Sequence, residues 1–191
     1  IENFMLLSNK NVAKYIFDTC KENSDEGVCA LMYRVHNVPD KDKINELSIF
    51  VKALGYKLNV NQDGSISSKD FNALFAQLEG KPEESLISTA AIRTMTKAMY
   101  STENAGHFGL AFEFYTHFTS PIRRYPDLVV HRILQKLLDK EKISTKESNF
   151  FAEVAEHSTN QEIAAQDAER TSIKYKHCLL YTSDAADECS G

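Results

Sequence analysis

Two prolines five residues apart, Pro121 and Pro126 in "HFTSPIRRYPDLVVHRIL" (residues 117–134), constrain this chain more than any other feature. A proline lacks the N–H that a helix interior needs, and its ring pushes the preceding residue out of the α region. Ser120-Pro121 reads as a helix start: a capping hydroxyl, then a residue whose missing N–H is harmless there. Pro126 would then remove the bond to the carbonyl of Ile122 and displace Tyr125. Two outcomes stay open, a short turn over 120–125 before a helix from Pro126, or one kinked helix. In both, Arg123 and Arg124 stand beside a helix N-terminus, which carries partial positive charge and unpaired N–H groups. Arginines there oppose helix stability unless an anion joins them, and their planar forks suit phosphate or carboxylate oxygens. In a continuous helix Arg123, Asp127 and His131 would share a face, with Asp127 steering Arg123. The plainer alternative pairs both arginines with protein carboxylates at a surface.

Hydrophobic spacing supplies the surrounding elements. Residues 2–20 carry Phe4, Leu7, Val12, Tyr15 and Ile16 near the helical period. "VCALMYRVH" (28–36) is short, apolar and rich in strand formers, and Pro39 ends it. Residues 40–54 present Ile44, Leu47, Phe50, Val51 and Leu54, stopped by Gly55. A third helix starts with Ser67 or Ser68 as cap, buries Phe71, Leu74, Phe75 and Leu78, and stops at Gly80. Pro82 opens a fourth, expected to reach about Met99. "FGLAFEFY" (108–115) alternates and predicts a strand, with "ENAGHFG" as the turn before it. Residues 126–139 and about 146–176 predict two further helices. The fold class is therefore mixed α/β and helix-rich, with short strands contributed to a larger sheet.

Composition excludes little. With 191 residues, 42% hydrophobic and 26% charged, the chain matches one ordinary soluble domain or part of a larger one. No apolar run approaches the roughly 18 residues of a membrane span. "IENFMLLSNK" has Glu2 and no cleavage site, which argues against a signal peptide, and without an initiator methionine the chain is expected to start inside a longer protein. A net charge of −5 counts mildly against nucleic acid as partner, although local placement sets the field at a site. Cys20, Cys29, Cys178 and Cys189 show no metal spacing, and a reducing cytoplasm is the expected location.

Several rival signals are weaker. "NVNQDGSISSKD" mimics a calcium loop through Asn59, Asn61, Asp63, Gly64 and Asp70, but it has two carboxylates and ends on Asp, so a plain Asp-Gly turn is expected. His107, His117 and His131 lack a metal-ligand pattern and point to packing or phosphate-facing hydrogen bonds. Tyr115, Phe118 and Tyr125 are candidates to line a ligand path, though such aromatics are more often core. "KESNFFAEVAEHSTNQE" reads as a solvated helix face.

"YSTENAGHFGLAFEFYTHFTSPIRRYPDLVVHRIL" resembles the signature of the RNB catalytic domain shared by ribonuclease II and ribonuclease R. "IENFMLLSNKNVA", "YRVH", "GKPEESLISTAAIRTMTKAMY" and "AERTSIKYK" extend the similarity over residues 1–176, closest to ribonuclease R. The resemblance implies processive 3′→5′ hydrolysis of RNA to nucleoside 5′-monophosphates, with Mg²⁺ held by an aspartate cluster and water attacking in line. It implies a single-stranded RNA 3′ end as partner, bases stacked on aromatics, no membrane, and a monomeric parent enzyme in the cytoplasm. Arg123 matches the family's catalytic arginine, and Arg124 is its neighbour on phosphate or in an ion pair. Glu169 matches a glutamate that helps hold the 3′-terminal nucleotide. Asn3 stands where ribonuclease II has a second glutamate, and its amide can still bond a ribose hydroxyl. Tyr125 completes the expected substrate contacts.

The aspartates that bind Mg²⁺ in this family are expected upstream of residue 1, so residues 1–177 would be the C-terminal part of the catalytic domain and inactive alone. Residues 178–191 include "CLLYTSDAADE", which resembles a translated transposon-end sequencing adapter; they are expected to be foreign and not to continue the helix. The alternative reading is a non-catalytic RNA-binding or assembly module derived from an RNB domain.

Overall fold

A computed structural model describes residues 1–23, 31–61 and 64–188. It contains helix α1 (Glu2–Asn23), strand β1 (Tyr33–Val35), helices α2 (Lys41–Ala53), α3 (Ser68–Leu78) and α4 (Glu84–Thr94), strand β2 (Met99–Ser101), and helices α5 (Tyr125–Leu138) and α6 (Thr145–Glu188). The two strands pair antiparallel, Arg34 opposite Tyr100. Helices α2 to α4 are thus an insertion between two paired strands. Of the expected strand over 28–36, residues 28–30 lie outside the described residues, and regular pairing is confined to three positions.

Two apolar clusters follow from the helical stripes. In one, Ala13 and Ile16 of α1 meet Leu31, Met32 and Val35, Val129, Val130 and Ile133 of α5, and Phe151 and Ala155 of α6. In the other, Ile44, Leu47 and Val51 of α2 pack on Phe71, Leu74 and Leu78 of α3 and on Ile87 and Ala91 of α4. The starts of α2 and α3 are set locally. Asp40 accepts from the N–H of Asp42, and Ser67 and Asp70 form a reciprocal capping box. Helix α3 ends before Gly80, whose φ of +74° suits glycine.

Three expectations are corrected. The fourth helix neither starts at Pro82 nor reaches Met99: it ends at Thr94, and Met99 belongs to β2. Residues after Thr94 are tied to the end of β1, because Thr96 Oγ1 donates to Asn37 O (2.8 Å) and Thr96 O accepts from His36 Nε2 (2.7 Å). The segment 108–115 is no strand. It opens with a 3-10 turn at Phe108–Leu110, closed by Ala111 at φ 53°. Histidine side chains take two of its N–H groups, with His107 Nδ1 accepting from Leu110 N–H (3.2 Å) and His36 Nδ1 from Gly109 N–H (2.9 Å), while Phe108 and Phe112 N–H keep the backbone partners His36 O (2.9 Å) and His107 O (3.3 Å). Finally, α6 does not stop near residue 176 but runs 44 residues to Glu188. No proline or glycine interrupts the stretch 146–188, so nothing in the backbone stops the helix. Residues 167–181 are exposed on every side of it.

The approach of His36 makes Gly109 sensitive to substitution. A Cβ there would lie 2.9 Å from His36 Nδ1. Gly109→Ala should therefore cost about 1–3 kcal/mol, the typical penalty of overpacking, measured by urea unfolding.

Among the described residues no helix is long and apolar enough to cross a membrane.

Candidate functional site

The two prolines are accommodated by a turn followed by a helix. Residues 121–123 form the turn, with the N–H groups of Arg123 and Arg124 both directed to Ser120 O (3.3 and 3.1 Å). Arg124 is extended (φ −127°, ψ 117°), and α5 starts at Tyr125 with Pro126 in its first turn. The continuous-helix expectation that Asp127 steers Arg123 is thereby overturned, since the four-residue spacing does not apply across a turn. Asp127 instead is fully buried, and its Oδ2 accepts from Ser120 N–H (2.8 Å) and from Arg124 Nη2 (2.8 Å).

The two arginines therefore divide. Arg124 is half-buried in an ion pair, one of the two roles anticipated for it. Arg123 is exposed, and its guanidinium has no hydrogen bond or ion pair among the described residues. No side chain caps α5. An unpaired guanidinium beside an uncapped helix start is a site whose electrostatics favour an anion.

Behind the turn stands a polar group that no local pattern announces. Arg34 makes two bonds to Glu162 of α6 (2.6 and 2.9 Å) and lies over the Tyr100 ring at 4.5 Å. Tyr100 OH meets His117 Nδ1 at 2.9 Å. Burial pushes the Tyr100 hydroxyl up to about 12, against the lowering influence of Arg34. Burial first, then Arg124, Arg34, His107 and Arg123, pull His117 down to about 3. Burial, then His36 and Arg34, bring His107 down to about 4. Arg34 and Glu162 are 128 residues apart; the strand register sets Arg34 against Tyr100, and the Arg34 N–H donates to Tyr115 O (2.9 Å) in the segment that leads to the arginine turn.

These two imidazoles predict acid lability. Each takes up its proton at lower pH when folded than at the ordinary value of 6.5, so the unfolded chain binds more protons in between. Stability is complete above about 6.5 and falls as pH drops towards about 4 for His107 and about 3 for His117. For His117 the slope is about 1.4 kcal/mol per pH unit. Urea midpoints measured from pH 7 to pH 4 check this, and His117→Phe should flatten the profile.

Among the described residues, no hydrogen bond, ion pair or ring contact joins the other anticipated residues to Arg123. Tyr125 is half-exposed at the first position of α5. Asn3 is exposed at the start of α1, and Glu169 is exposed on the solvated length of α6. Neither side chain makes a hydrogen bond or ion pair that would draw it to Arg123. Tyr115 is buried, and Phe118 stacks on His131 with ring centroids 4.0 Å apart. Among the described residues no group of three or more His, Cys, Asp and Glu is placed to hold a metal ion, so these residues do not fit the Mg²⁺ implied by the resemblance. Asp70 of the calcium-like loop is engaged in its capping box, and Asp63 lies outside the described residues.

Comparison with known proteins places this geometry in context. The profile of the RNB domain matches residues 1–140. Ribonuclease R of Aquifex aeolicus is 40% identical over 176 residues, which cover 92% of this chain and 24% of that protein. Ribonuclease R 1 of Lactococcus lactis is 37% identical over 194 residues, covering all of this chain and 23% of its own length. The chain thus spans about a quarter of the length of the curated relatives it matches. Apo RNase R of Mycoplasma genitalium superposes with a TM-score of 0.80 at 30% identity, over 94% of this chain and 27% of that one. The same protein bound to ribose-methylated single-stranded RNA gives 0.77, over 91% and 27%.

Proposed function

The chain belongs to the RNB-domain family, and from that premise we propose that it is a segment of a ribonuclease R-like 3′→5′ exoribonuclease in which Arg123 grips the phosphate of the terminal RNA linkage. The observation that carries this reading is the division of the arginine pair: Arg124 is matched by Asp127, whereas Arg123 is exposed and unmatched. In-line attack of water on the last phosphodiester concentrates negative charge on the non-bridging oxygens. A planar guanidinium fixed at that point stabilises the growing charge more than it stabilises the ground state, which is the condition for accelerating the chemistry.

The remaining assignments surround that contact. Tyr125 offers a half-exposed ring for base stacking. Arg124, held by Asp127, is assigned to support the turn that presents Arg123. Asn3 and Glu169 are assigned to the ribose and the 3′-terminal nucleotide. As the resemblance implies, the Mg²⁺ that activates water in the family is assigned to aspartates outside this chain, and the role given to Arg123 does not pass through it. Residues 178–191 are assigned no role. The RNA-bound state of the Mycoplasma genitalium relative is consistent with single-stranded RNA as the partner.

Incubating this chain alone with single-stranded RNA and Mg²⁺ tests the division of labour. No release of nucleoside 5′-monophosphates is expected. Their appearance would contradict the placement of the metal ligands elsewhere.

A further inference from the structure

We propose that Asp127, assisted by Asn9 and His131, is a positioning residue that holds the turn 118–124 so that Arg123 rather than Arg124 meets the phosphate; this rests on the role given to Arg123 above. Three side chains from two helices grip the backbone entering that turn. Asn9 of α1 accepts the N–H of Phe118 through Oδ1 (3.0 Å), while its Nδ2 donates to Tyr115 OH (3.2 Å). His131 of α5 donates from Nε2 to Phe118 O (2.9 Å), its ring nearly parallel to that of Phe118 at 9°. Asp127 takes the N–H of Ser120 and the guanidinium of Arg124 on a single oxygen. Asn9 and Asp127 are 4% and 0% exposed, so these contacts are shielded from competing water.

The arrangement also sorts charge. Asp127 compensates Arg124 and turns it inward, which leaves the uncompensated cation of the pair on Arg123. Stability alone does not account for this. The buried side-chain atoms that lack a partner among the described residues are Thr119 Oγ1, Arg124 Nε and Asp127 Oδ1, all within or beside this one turn. Each such atom carries a desolvation penalty, and apolar residues would fill the same volume without it. Unmet polar groups gathered at a single turn mark a place where local stability is given up for placement.

The test uses the full-length enzyme that carries this segment. Asp127→Asn keeps an oxygen for Ser120 N–H but removes the charge that restrains Arg124. His131→Phe keeps the stacking but removes the donor to Phe118 O, and serves if the first variant does not fold. Single-turnover hydrolysis and RNA affinity are measured for each, alone and combined with Arg123→Ala. Each single variant should lower the rate roughly 10- to 100-fold, the scale of a misplaced catalytic group, with little change in affinity. In the Arg123→Ala background neither should lower it further. Equal proportional losses in both backgrounds, or no loss in either, would overturn the positioning role. If Arg123→Ala itself leaves the rate intact, it is the reading of Arg123 that fails.

Discussion

Arg123→Ala is expected to lower the release of nucleoside 5′-monophosphates by the proposed full-length exoribonuclease about 10²–10³-fold, the loss seen when one preorganised donor to a developing oxyanion is removed. The side chain is exposed and makes no bond to the described protein residues, so its loss leaves folding stability nearly unchanged. Affinity for single-stranded RNA falls only modestly, because many contacts share the binding of a threaded strand. The salt dependence of binding weakens by about one phosphate contact. Arg123→Lys keeps the charge but not the planar fork, and its rate should lie between the two. Single-turnover kinetics and anisotropy titrations at several salt concentrations separate these effects. If the segment is instead a binding module, affinity falls with Arg123 and there is no rate to lose.

Asp127→Ala has the second large effect, on stability. Its carboxylate is fully buried and serves both Ser120 N–H and the Arg124 guanidinium, so truncation strands a half-buried donor and a half-buried cation together. Breaking a buried pair by removing one partner costs about 3–5 kcal/mol. For a chain of this size that lowers Tm by about 10 °C. Calorimetry on this chain checks the shift. A change within about 0.5 kcal/mol, the range of an ordinary surface substitution, would remove Asp127 from the centre of the turn.

How much of this was legible in the sequence depends on the range of the interaction. Local rules worked where one residue's backbone chemistry decides the outcome. Pro121 and Pro126 limited the arginine turn to two conformations, and Ser67, Gly55 and Gly80 punctuated the helices much as they stand. The apolar stripes of 40–54 and 126–139 also became buried faces. Local rules failed where a distant group supplied the missing bond. "FGLAFEFY" alternates like a strand, yet His36 and His107 take two of its N–H groups at a 3-10 turn. Met99 reads as a helix end until Arg34 and Tyr100 are seen to pair across the insertion. The resemblance singled out Arg123 from Arg124, whereas which of the two Asp127 engages was not legible, because Arg123 and Arg124 stand four and three residues before it and both spacings can pair on a continuous helix. Asn9 gave no signal in its own neighbourhood, since its partner Phe118 lies 109 residues away. The family resemblance, by contrast, was carried by contiguous motifs, and the match over residues 1–140 bears it out.

A structure of the full-length enzyme holding an uncleavable single-stranded RNA measures the central contact directly. The expected result is an Arg123 guanidinium nitrogen within about 3 Å of a non-bridging oxygen of the terminal linkage, with Arg124 still on Asp127. An RNA path whose last phosphate is held by other groups, with the Arg123 guanidinium in solvent beyond hydrogen-bond reach, would contradict it.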